Sequence, residues 1–257
     1  MKRLLLALVL LLSVHPSEAA IAYVRQNGSV FETVGGGTNS HVMTITPPSA
    51  GNFAVIVCYA KADRTNWTTT VTEANVTWTQ HLEQDFPSQV QAIAIWYAQG
   101  IGIGSSAGST VTIGTATNLI VECVMHEYSG MLTSGVADSE IGTFSQASGT
   151  TAKPCTSGTT CPAAGTQDQA NELIIGAIGI RTASSCGAAS GYTERYDHQS
   201  GGAVGDNTLC VEERIVSVAE EAYFTLTIPN NTQNQNCGGI ARFKGVASAS
   251  YGALVVD

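Results

Sequence analysis

Asn52-Phe53-Ala54-Val55-Ile56-Val57-Cys58-Tyr59-Ala60 is apolar at odd and even positions alike once past its asparagine. Far downstream, Leu173-Ile174-Ile175-Gly176-Ala177-Ile178-Gly179-Ile180 reads the same way. Successive side chains of a β-strand point to opposite faces, so a strand with one wet face alternates apolar and polar residues. A strand apolar on both faces has to be covered on both sides. Both runs are therefore expected to be central strands of layered sheets, in an all-β fold.

Outward from these two runs, helical periodicity is nearly absent, and strand-length stretches are punctuated by Gly, Asn, Ser and Pro. Further strands are predicted near Val30–Val34, Val42–Thr46, Val76–Gln80, Ala92–Ala98, Thr110–Ile113, Leu119–Tyr128, Tyr192–Tyr196, Cys210–Val216, Tyr223–Ile228 and Gly239–Gly245. The first half runs Asn52–Val57, Trp78-Thr79, Ala92–Tyr97, Ser109–Ile113 and Ile120–Tyr128, closing at Gly130. The second runs Asn171–Ile175, Tyr192-Thr193, Val211–Val216, Phe224–Ile228 and Gly239–Gly245. Five strands in the same order point to a duplicated unit, with half-repeats at about 42–130 and 171–246 and a connector at 131–170. The expected architecture is a two-sheet, jelly-roll-like sandwich, one domain over residues 20–257.

Only 12% of the residues are charged, 27 are glycine, and the net charge is −9. That acidic balance argues against nucleic acid, whose phosphates need Lys and Arg, and against anionic membrane surfaces. The N-terminus joins Met1-Lys2-Arg3 to the apolar run Leu4–Leu12 and then to small residues, the three parts of a secretory signal peptide over residues 1–19, with cleavage expected after Ala19. The apolar run is far shorter than the roughly 20 residues a membrane span needs. The first cysteine, Cys58, is remote from the cleavage point, which disfavours a lipoprotein, and Tyr251–Asp257 is too short and polar for a GPI signal. A secreted chain, extracellular or periplasmic, with no membrane span is the expectation.

Seven cysteines in an exported chain suggest disulfides. Cys155 and Cys161 flank a short Thr/Ser/Gly loop, and Cys186 and Cys210 flank a Gly-rich excursion; these are the two candidate bridges. Cys58 and Cys123 sit in apolar runs, as a bridged pair or as small buried hydrophobes. The odd count leaves a thiol over, and Cys237 is the candidate for a free or intermolecular one. No CxxC or HxxxH spacing suggests a metal site, and no cofactor is implied.

Glu122, His126 and Tyr128 share one face of their predicted strand with Val124, and a carboxylate, an imidazole and a phenol side by side could line a concave ligand site. The bland alternative is an ordinary polar sheet face. Trp67 lies in a polar loop and is the ring best placed to meet a ligand. Gly104-Ser105-Ser106-Ala107-Gly108 matches a nucleophile elbow, with Asp138 and His198 downstream as triad partners, but the helix that motif needs is replaced by a strand. Asn27, Asn66, Asn75 and Asn230 open N-glycosylation sequons. Tyr251–Val256, an apolar end beyond the last core strand, could be donated to a neighbouring copy.

The order GNFAVIV (51–57), VTWTQ (76–80), AIAIWYA (92–98), STVTI (109–113), HEYSG (126–130), NELIIGAIG (171–179), GYTER (191–195), ERIV (213–216) and ARFKG (241–245) resembles a widespread family of exported bacterial β-sandwich proteins, mostly uncharacterised. The resemblance covers most of residues 42–246 and rests on the order alone. It implies the sandwich and brings no catalytic residues. The expected function is a non-catalytic binding module for carbohydrate or a cell-surface polymer. The alternatives are a structural or adhesive protein self-associating through its terminal strands, and a polysaccharide-active enzyme.

Overall fold

A computed structural model of the chain describes residues 20–32, 40–61, 69–86, 91–101, 108–115, 120–146, 151–152, 171–181, 185–188, 190–199, 207–217, 226–227 and 236–247. The regular elements among them are all β-strands. The first half contains β1 (Ala22–Glu32), β2 (Ser40–Thr44), β3 (Phe53–Lys61), β4 (Thr69–Thr72), β5 (Thr79–Phe86), β6 (Gln91–Ala98), β7 (Thr110–Thr115) and β8 (Ile120–Ser129). The second contains β9 (Ala137–Gln146), β10 (Thr151–Ala152), β11 (Glu172–Ile180), β12 (Thr193–Gln199), β13 (Thr208–Val216), β14 (Leu226–Thr227) and β15 (Asn236–Lys244).

The two halves repeat one topology. The first makes a five-stranded antiparallel sheet ordered β1-β8-β3-β6-β5, and the second one ordered β9-β15-β11-β13-β12. Outside these sheets β2 pairs with β7, and β10 with β14. Each half thus pairs first strand with last, second with last but one and third with last but two, which is the folded-hairpin pairing of a jelly roll. The duplicated order read from the sequence appears as duplicated pairing, with two boundaries moved. Residues 22–32, expected outside the repeat, form β1, the edge of the first sheet. The supposed connector 131–170 contains β9, the matching edge of the second. Both are edge strands of mixed polarity, so neither shows the apolar signal of the central strands.

The two five-stranded sheets pack face to face. Phe53, Val55 and Val57 of β3 meet Leu173 and Ile175 of β11 and Phe243 of β15 in one buried cluster. The other face of β3, with Ala54, Ile56 and Cys58, packs beneath Met43 of β2 and Ile113 of β7. The other face of β11, with Ile174, Ile178 and Ile180, belongs to a third cluster. Both all-apolar runs are therefore buried on both sides, and β2 and β7 add a further layer on the outer face of the first sheet.

Tyr59 and Gly179 stand six residues beyond Phe53 and Leu173 and meet across the interface. A Cβ on Gly179 would lie 1.9 Å from Tyr59 Cδ2, so the missing side chain is the space the ring fills. The ends of β8 and β15 also exchange backbone bonds, with Val246 N donating to Gly130 O at 3.0 Å and Leu132 N to Lys244 O at 3.2 Å.

Cys58 and Cys123 are directly opposed on β3 and β8, with Cα atoms 4.1 Å apart, and form a disulfide. Cys186 and Cys210 pair as the sequence suggested, with Cα atoms 6.3 Å apart. Cys155 and Cys161 lie outside the described residues. Cys237 is the free thiol among the described residues, but it is fully buried in the inter-sheet core. Of the two alternatives, free or intermolecular, the inner face of β15 holds it as a free thiol.

Candidate functional site

β1 and β8 of one sheet face β12 and β13 of the other along a flank where polar side chains replace the apolar packing. On β8 the inward positions are Glu122, Val124, His126 and Tyr128, the face the alternation indicated. It faces the opposite sheet, so all three polar members are fully buried. Whatever reaches this flank from solvent meets the facing strand first.

That facing strand is β12. Its ladder with β13 shifts between Glu194 and Tyr196, making Arg195 the extra residue of a bulge. A bulge re-aims the side chains on either side of it. Beyond it, Tyr196 and His198 both point at Glu122. The Tyr196 hydroxyl donates to Glu122 Oε1 at 3.1 Å, and His198 Nδ1 lies 2.6 Å from the same oxygen, close enough to share a proton. Asn207 Nδ2 donates to Oε2 at 3.3 Å. All three partners belong to the second half, so Glu122 is a carboxyl of one half held by the other. Burial pushes it up from an ordinary 4.5 to about 8, against the lowering effect of the Tyr196 hydroxyl and with help from the charge of Asp197. Burial raises the Tyr196 hydroxyl too, with the Glu122 charge adding to it.

The cluster reaches solvent through His198, whose side chain is 41% exposed. The Tyr196 and His198 rings stack at 6.0 Å with 27° between planes, and Phe31 of β1 stands 5.6 Å from His198. The mouth of the flank is therefore three rings with a protonatable carboxyl behind them.

Four residues along β8 lies a second group. Arg195 pairs with Glu213 and covers the Tyr23 ring, its guanidinium carbon 3.8 Å from the centroid. Burial, assisted by the nearby Arg195 charge, holds His126 down at about 3 from an ordinary 6.5. Neither His126 ring nitrogen has a hydrogen-bond partner among the described residues. Burial raises Tyr128, as does the Glu213 carboxylate beside it. This group is closed and looks inward, whereas the Glu122 group reaches solvent through His198.

The neighbouring carboxylate Glu127 faces the other way and does structural work. It is fully buried and accepts from Arg25 Nε at 2.7 Å, Ser49 N at 2.8 Å and Asn52 Nδ2 at 2.6 Å, fastening the turn before β3 to β8.

Cys186, Asp197 and Cys210 lie together as a possible ligand set for a metal. With both sulfurs in the disulfide, the set offers a single carboxylate, and Asp197 instead accepts from Cys186 N at 3.3 Å. Asp138 on β9 and His198 on β12 sit on opposite edges of one five-stranded sheet, about 19 Å apart at four strand spacings, so they are not triad partners. Ser105, Ser106 and Trp67 lie outside the described residues. Sequence reading picked Glu122 and its face but missed Asn207 and Phe31, and took His198 and Tyr196 separately. The bulge hides their common direction from a period-two count.

Fold and site together define a class: an all-β protein of two topologically repeated halves, packed sheet to sheet, with a shared carboxyl at one flank. A scan against protein-family models finds no match, and comparison with curated proteins and with solved structures finds none either.

Proposed function

We propose that this chain is an exported, non-catalytic binding module that recognises carbohydrate or a cell-surface polymer at the mouth of the β1–β12 flank. The observation behind this reading is the stacked Tyr196 and His198 pair beside Phe31, backed by Glu122. Aromatic rings meet the apolar faces of sugars while polar tips at their edges bond hydroxyls. His198 presents Nε2 outward because Nδ1 is engaged with Glu122. The two disulfides suit an oxidising compartment, and among the described residues no helix is long and apolar enough to cross a membrane. Trp67 remains a second candidate contact.

A glycan array followed by calorimetric titration of the best hit tests this. His198→Ala should weaken binding about tenfold or more, the usual effect of removing a central contact, with the thermal transition retained. Unchanged affinity in a folded His198→Ala protein would remove the flank as the binding site.

A further inference from the structure

At the far edge of the second sheet, Asp138 of β9 is almost wholly buried, yet neither carboxyl oxygen has a hydrogen-bond partner among the described residues. Buried carboxylates are ordinarily satisfied by several donors, as Glu127 is here. Lys244 at the end of β15 forms a long ion pair with it, its Nζ 3.8 Å from Asp138 Oδ2. That is too long for a hydrogen bond and is close contact between an amine and a carboxyl group. The main chain holds the approach: Lys244 N donates to Val136 O at 2.7 Å, two residues before the aspartate. Across the ladder on the other side, the fully buried Glu172 of β11 is the direct partner of Lys244, so both side chains leave the sheet on one face.

We propose that Lys244 and Asp138 are a modification site, at which the chain joins its own side chains by an amide bond. For the bond to form, the ammonium proton first passes to the carboxylate, leaving a neutral amine beside a neutral acid; the lysine side chain is 24% exposed and the aspartate buried. The amine nitrogen attacks Cγ; the C–N bond forms, a C–O bond of the carboxyl breaks, and the hydroxyl leaves with the amine proton as water. No oxidant, reductant or co-reactant is needed. The link would tie the first strand of the second half to its last, so that this half could not be drawn open from its ends.

The test is the intact mass of the purified full chain, reduced and alkylated so that the cystines do not contribute. The expected mass is that calculated from the purified protein's own N-terminus with every cysteine alkylated, less one water, with a branched peptide containing both Asp138 and Lys244 after proteolysis. Asp138→Ala and Lys244→Arg should each restore the missing water. Lys244→Arg keeps an ion pair possible, so loss of thermal stability in that variant separates a covalent link from a charge pair. A wild-type mass with no water missing would overturn the proposal.

Discussion

Gly179 and Tyr59 show one residue deciding how two sheets meet. The ring occupies the volume a β-carbon would need, and Tyr59 is itself fully buried and has no room to swing aside. Gly179→Ala is expected to destabilise by about 3 kcal/mol, toward the upper end of overpacking costs. Urea denaturation measures it, and in a Tyr59→Ala background the same glycine substitution should cost much less. If Gly179→Ala were neutral alone, the sheets would not approach as closely as described. From sequence, Gly179 is only a small residue in an apolar run; its partner lies 120 positions away. The same limit applied to Glu122, His126 and Tyr128. Their common face was legible from alternation, but its direction was not, because the covering strand comes from the other half.

Strands differ in how openly they declare themselves. β3 and β11 are apolar on both faces because each lies between two buried clusters, and that demand is written directly in their residues. β1 and β9 are edges, and β1 breaks register between Tyr23 and Arg25 and again between Gln26 and Gly28, so no steady alternation marks it. Its placement depends instead on β8, and β8 is joined to β3 by the Cys58–Cys123 bridge, which closes 65 residues of chain. A loop of that length implies about 4 kcal/mol of stabilisation through the unfolded state. Replacing both cysteines by alanine should lower stability by about 3–4 kcal/mol, read from denaturant midpoints, while the second-half bridge Cys186–Cys210 stays intact on a thiol count. A loss well under 1 kcal/mol would mean that β3 and β8 are held by packing alone.

At the scale of the molecule, two repeated halves bury one titrating group from the first half among donors of the second, and an imidazole further along the same strand. Glu122 holds its proton more tightly folded than unfolded. Between pH 4.5 and about 8 the folded chain therefore carries the extra proton, and stability falls as pH rises. His126 is the reverse: between about 3 and 6.5 the unfolded chain carries the extra proton, and stability falls as pH drops. From 4.5 to 6.5 the two slopes oppose each other, leaving a plateau. Above 6.5 only the Glu122 slope remains, at most about 1.4 kcal/mol per pH unit. The groups facing Glu122 are Tyr59 on its own sheet and Tyr196, Asp197, His198 and Asn207 from the other half, none of them a fixed cation that would hold its charge.

The most direct measurement of this account is the unfolding free energy from pH 6.5 to 8, by urea titration of the wild type and of Glu122→Gln. The wild type is expected to lose stability steadily across that window, and Glu122→Gln, which keeps the shape and can still accept from the Tyr196 hydroxyl but has no titrating proton, to stay flat. The same alkaline fall in both proteins would contradict a carboxyl buried where the two halves meet.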